Sequence, residues 1–261
     1  MAKKTEQRLL AKLAAGQPLT PGEINSLSLK IAKGQTKKRA RSITQQVELR
    51  YTAQLAQLSV MQRQQVVNAV RDYTMDSTSI NNSCRGGAPN ANAQRLDQVF
   101  QIFHQQNWDN DYRVTYRLMT YKPTDNMPWG AAAAPHIVVG DRVRDDAFLS
   151  ASENRQLLVN GVENPGPNDR YVKLAIYGRG GINISGGSLY SNANEKAMMK
   201  SDHPKTWRFR TAHAGQAEIL YDRGTVFRVR KITPNGNNVH VVLSISNGGG
   251  GGGVKNMFTG T

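Results

Sequence analysis

Apolar residues such as Leu55, Leu58, Val60, Val66, Val67 and Val70 recur at helical spacing and predict a helix over residues 43–73. The same period in Leu96, Val99, Phe100 and Phe103 predicts another over residues 92–106. Between them, the Ser, Asn and Gly content of residues 77–87 predicts a loop or broken turn. Two shorter helices are expected earlier in the chain. One covers residues 6–15, and one opens at Thr20-Pro21-Gly22-Glu23, where Thr suits the N-cap, Pro the first helical position and Glu the third.

After about residue 110 the period shortens to two, in short runs punctuated by Gly, Pro and Asn. Strands are expected at residues 113–119, 136–139, 171–177, 217–221, 226–232 and 239–245, with Phe227 and Val229 alternating against Arg228 and Arg230. Helices first and mostly antiparallel strands second make an α+β fold, not a doubly wound sheet. The expected organisation is a basic N-terminal arm over residues 1–41, a main domain over 42–247 and a flexible tail over 248–261 that opens with the glycines Gly248 to Gly253.

Charge and cysteine content narrow the class. The chain has 261 residues and a formal net charge of +15. Residues 1–50 hold eleven Lys and Arg against three Glu, a net of +8, concentrated at Lys37-Lys38-Arg39-Ala40-Arg41. Such a field favours phosphate-rich or acidic partners. The single cysteine, Cys84, forms no internal disulfide and reads as a small buried apolar residue. No Cys/His cluster has zinc spacing, so no metal is expected. No apolar run approaches a membrane span and the start lacks a cleavable signal, so a soluble, cytoplasmically made protein with no membrane partner is expected, with delivery to another cell open by a signal-independent route.

Three polar features sit in or beside the strands. Arg117 follows Tyr116 inside the apolar run from Val114 to Met119, where a guanidinium needs an anion or a carboxylate. Ser150 and Ser152 alternate with Leu149 and Ala151. Gln216 and Glu218 stand two apart, which in a strand puts both on one face. Phosphate loops, nucleophile elbows and metalloprotease helices are absent. The five histidines are scattered without ligand spacing.

In this order, aromatic-Arg, Phe-x-Ser-x-Ser, then Gln-x-Glu leading to a Gly turn and Phe-x-Val, the chain resembles the Arg–Ser–Glu class of mono-ADP-ribosyltransferases, which includes clostridial exoenzymes, actin-modifying toxins, DNA-modifying enzymes and phage transferases. Two further stretches are similar to that class: Tyr73-Thr74 with Ser77 and Ile80-Asn81-Asn82-Ser83-Cys84-Arg85, and Tyr171 to Ile176 followed by Gly181-Ile182-Asn183-Ile184-Ser185. Cys84 replaces a leucine, Leu118 a common glycine and Ala151 the central threonine.

The resemblance implies a two-sheet, ADP-ribosyltransferase-like β core and an enzyme that cleaves NAD at the nicotinamide–ribose bond, with NAD as substrate and no metal. Glu218 would stabilise the oxocarbenium-like transition state, Ser150 would orient Glu218 and the ribose, and Arg117, Arg85 and Asn81 would hold the dinucleotide. Gln216 would meet the acceptor, helped by Tyr190, Trp207 and Phe209 in the preceding loop over residues 188–214. An amide cannot take a proton from a guanidinium, so Gln216 argues against arginine as acceptor. The expected partner is a macromolecule, nucleic acid or host protein, modified by a monomeric effector or toxin of bacterial or phage type. The competing reading is a non-enzymatic, basic nucleic-acid-binding or virion structural protein.

Overall fold

The computed structural model describes residues 2–31, 37–129, 136–155, 158, 168–187, 217–246 and 253–261. Within them six helices precede nine strands. The helices are α1 (Ala2–Ala14), α2 (Pro21–Ile31), α3 (Lys37–Ala56), α4 (Val60–Met75), α5 (Ser77–Arg85) and α6 (Ala91–Gln105). The strands are β1 (Tyr112–Tyr121), β2 (Arg142–Arg144), β3 (Leu149–Ser152), β4 (Arg170–Arg179), β5 (Ile182–Asn183), β6 (Glu218–Tyr221), β7 (Phe227–Asn235), β8 (Asn238–Ile245) and β9 (Val254–Asn256). The α+β expectation holds.

Capping explains most of the helix ends. At α2 the Thr20 hydroxyl accepts from the Glu23 N–H at 3.3 Å while Glu23 accepts from the Thr20 N–H at 2.8 Å. The expected helix over 43–73 is two helices, because Ser59 and Gln62 form a second capping box that restarts the chain as α4. Residues 77–87, expected as a loop, contain α5. Asp76 caps it by accepting from the Ser79 N–H, and Ile80 and Cys84, four apart, bury its apolar edge.

All nine strands hydrogen-bond in one series, β5-β6-β3-β1-β4-β8-β7-β2-β9, rather than as two separate sheets. The β4–β8 and β2–β9 pairs are parallel and the others antiparallel. The series curls, so that Ile219 and Tyr221 of β6 share an inner core with Leu174 of β4 and Val241 of β8. The opposite face of β6 is covered by α4–α6, where Leu220 packs with Val70, Tyr73 and Ile80. A third core lies outside β1, β4 and β8.

That third core corrects the N-terminal boundary. Leu9, Leu13, Leu27 and Ile31 of α1 and α2 pack on Val114, Tyr116, Ala175 and Val242, so these two helices cover the sheet rather than form an appended arm, and position 41 falls inside α3. The tail is corrected too. Residues 247–252 lie outside the described set, but β9 pairs with β2 and Met257 is fully buried. No strand forms at 136–139. Ile137 makes one bridge to Trp129, while Val138 and Val139 stay exposed.

Candidate active site

Strand alternation puts the carboxylate of Glu218 on the helix-covered face. Ile219 and Tyr221 fill the inner core, so Glu218 and Leu220 point the other way, toward α4 and α5. β3 repeats the pattern, with Leu149 and Ala151 inward, and pairs Ser150 with Leu220 and Ser152 with Glu218. The Ser150 hydroxyl donates to Glu218 Oε1 at 2.7 Å. Glu218 is 6% exposed, so this bond fixes a carboxylate that water barely reaches.

Arg117 reaches the same place from β1, donating through Nη1 to the Ser150 carbonyl. Burial lowers the affinity of its guanidinium for the proton, and the Arg85 charge adds to that, while Asp145 and Glu218 oppose it. Its Nε has no partner among the described residues. A buried donor left unsatisfied costs about 1–3 kcal/mol, so the position suits an anionic ligand.

From the helices, Asn81 of α5 lies beside the Tyr73 hydroxyl of α4, and its Oδ1 has no partner among the described residues. Tyr73 is held firmly neutral, first by burial and then by the nearby Glu218 charge. Arg85 forms a two-pronged pair with Asp145, Nη2 to Oδ2 at 2.7 Å and Nε to Oδ1 at 3.0 Å. The Asp145 carboxylate is almost completely buried and also accepts from the Ala147 N–H. That pairing raises the Arg85 pKa above the usual arginine value and keeps two guanidinium groups close despite their repulsion.

Glu218, Ser150, Arg117, Asn81 and Arg85 therefore converge. Gln216, Tyr190, Trp207 and Phe209 lie outside the described residues. β6 begins at Glu218, and Ala217 before it has φ of 48°, in the left-handed region. The period-two argument that put Gln216 and Glu218 on one face thus stops at Ala217. Sequence reasoning did not single out Tyr73, Asp145 or Phe258, whose ring lies 4.9 Å from the Arg85 guanidinium carbon. Only Tyr73 left a signal, since it opens the Tyr-Thr stretch before α5.

No family model and no curated protein matches the sequence. Solved structures do. Vis, an ADP-ribosyltransferase toxin from Vibrio splendidus, superposes with a TM-score of 0.55 at 14% identity, over 88% of this chain and 95% of that one. The chain has the ADP-ribosyltransferase fold. Vis solved with the inhibitor M6 matches over the same shares at 14% identity with a TM-score of 0.58. Its complex with agmatine gives 0.57 at 14% identity, over 87% of this chain and 95% of that one. Within the ADP-ribosyltransferase fold of this chain, the Ser150–Glu218 bond joins neighbouring strands β3 and β6, and Arg117 enters from β1 on the other side of β3.

Proposed function

We propose that the protein is a mono-ADP-ribosyltransferase that cleaves NAD at the nicotinamide–ribose bond and passes ADP-ribose to a macromolecular acceptor other than arginine. The carrying observation is the Ser150-held carboxylate of Glu218 beside a guanidinium, Arg117, whose buried Nε has no partner among the described residues. A fixed carboxylate in a water-poor site stabilises developing positive charge at little reorganisation cost. Two guanidinium groups, one paired with Asp145 and one held through Nη1 on the Ser150 carbonyl with its Nε unpartnered among the described residues, fit the phosphates of a dinucleotide, and Asn81 Oδ1, also unpartnered among them, adds an acceptor for a hydroxyl or amide. Ser150 orients the carboxylate, and Leu118 keeps its backbone in β1, paired opposite Lys173.

Gln216 supports the choice of acceptor. Vis was solved with agmatine, which ends in a guanidino group. An amide at position 216 cannot take a proton from such a group, so agmatine is expected to be a poor acceptor for this chain. The net charge of +15 favours nucleic acid, or a host protein bound to it, as target of an effector or toxin. A non-enzymatic nucleic-acid-binding reading accounts for the charge but gives no reason to bury and orient Glu218.

The test is incubation of the folded protein with labelled NAD, followed by nicotinamide release and by label in protein, DNA and RNA. Release and transfer are expected from the wild type and not from Glu218→Gln. A folded wild type that neither hydrolyses NAD nor transfers label overturns the reading.

A further inference from the structure

Phe258 follows a run of glycines, a context with no signal for a functional residue, yet the segment that carries it is held on every side. β9 adds to the sheet edge beside β2, with Val254, Lys255 and Asn256 opposite Arg142, Val143 and Arg144. The Met257 N–H donates to the Arg144 carbonyl at 2.9 Å, and the buried Trp129 indole donates to the Met257 carbonyl at 2.9 Å. Asn256 Oδ1 accepts from the N–H groups of Phe258 and Thr259, which closes a tight turn. Lys255 pairs with Asp141 at 2.8 Å. Gly260, at φ of 79°, packs so closely that a Cβ there would lie 2.3 Å from His136 Cβ.

The turn delivers the Phe258 ring to Arg85. Its ring centre lies 4.9 Å from Arg85 Cζ, within cation–π range. Asp145 takes Nε and Nη2 of the same guanidinium. Among the described residues, one edge of the Arg85 fork is thus occupied by a carboxylate and one face by an aromatic ring, and Nη1 is the nitrogen left for a ligand. The two supports are linked, because Arg144, whose carbonyl anchors Met257, directly precedes Asp145. Arginine otherwise carries large rotamer freedom, and a ligand that must order it binds more weakly.

We infer that residues 253–261 complete the dinucleotide site, with Phe258 acting as a positioning residue that fixes Arg85 for a phosphate of NAD. This rests on the ADP-ribosyltransferase reading above. Phe258 touches Arg85 rather than the reacting atoms, so its removal weakens NAD binding and leaves the chemical step at Glu218 alone.

The experiment uses the full chain and two variants. Phe258→Leu keeps an apolar side chain on the inner core and removes the ring, and Phe258→Trp restores a ring. Nicotinamide release is followed against NAD concentration, with calorimetric NAD titration and thermal melting alongside. Phe258→Leu is expected to raise KM and Kd for NAD about three- to ten-fold with kcat within about two-fold of wild type, and Phe258→Trp to return both constants toward wild type. An unchanged KM and Kd in Phe258→Leu overturns the inference. So does a fall in kcat and melting temperature without a change in KM, which is the mark of a purely structural residue. A wild type that binds no NAD removes the enzyme reading and this inference together, whereas a wild type that binds NAD as Phe258→Leu does removes the inference alone.

Discussion

Glu218 accepts a strong bond from Ser150, in a place where only 6% of its surface meets solvent. Its chemistry can be removed without removing its shape. Glu218→Gln is expected to lower nicotinamide release by at least about 100-fold, the scale of losing a preorganised electrostatic group, with melting temperature unchanged. Ser150→Ala leaves the carboxylate present without that bond. A hydrogen bond to a charged group contributes about 1.5–3 kcal/mol, so kcat should fall roughly 10- to 100-fold, measured by the same assay. At position 216 the expected change is one of partition. Gln216→Glu should raise transfer to agmatine over NAD hydrolysis, read as labelled agmatine against free ADP-ribose; equal changes in both would argue against an acceptor role. Glu218, Ser150 and Arg117 were legible because strand alternation and motif order are local signals. The Arg85–Asp145 pair was not, since its partners lie 60 positions apart and only the folded sheet edge brings them together. Nor does any local pattern announce that Ala217 turns left-handed.

Elements set where those residues meet, and α3 is the clearest case. It lies against the strand end that leads away from the site, with the Asn183 side chain donating to the Val47 carbonyl at 2.7 Å and Arg50 gripping Glu153 at 3.0 and 3.1 Å. The Glu153 N–H in turn donates to the carbonyl of Ala217, next to Glu218. One turn of helix from Val47, the buried Tyr51 packs closely against Gly186. A Cβ on Gly186 would meet Tyr51 Cδ1 at 2.4 Å and Cγ at 3.1 Å, near the root of the ring where it cannot swing aside. Gly186→Ala should therefore destabilise the fold by roughly 1–3 kcal/mol, as overpacked cores do. Melting should fall by about 2–4 °C for each kcal/mol, followed by circular dichroism. Helical periodicity predicted α6 and most of α3 and α4, but hid the break at Ser59, because apolar spacing continues across it. It also missed α5, whose nine residues bury only Ile80 and Cys84, too few for a period.

Across the whole molecule, the curled sheet encloses an inner core, with α4–α6 on the side of the candidate site and α1–α2 on the outside of β1, β4 and β8. The outer layer is what the sequence disguised. Its charge, from Lys3 to Arg41, reads as a solvated arm, while its few leucines carry the packing. Leu27 and Ile31 are almost wholly buried against the back of the sheet, and Ser28 Oγ lies 3.2 Å from the Thr233 hydroxyl of β7. β1, which carries Arg117, has Val114 and Tyr116 pressed under this layer, so the layer and the site share a strand. An appended arm could be cut or mutated without consequence for the rest. A covering layer could not. Leu27→Ala, at a fully buried position, should cost about 2–5 kcal/mol and lower the cooperative melting transition, with nicotinamide release lost at the same temperature as the fold. Charge reversal at Lys37 and Lys38, by contrast, should weaken retention on single-stranded nucleic acid in a salt-dependent way, measured by binding at two ionic strengths. If Leu27→Ala melts like the wild type, α1 and α2 are the arm that their composition suggests, and the shared-strand argument fails with them.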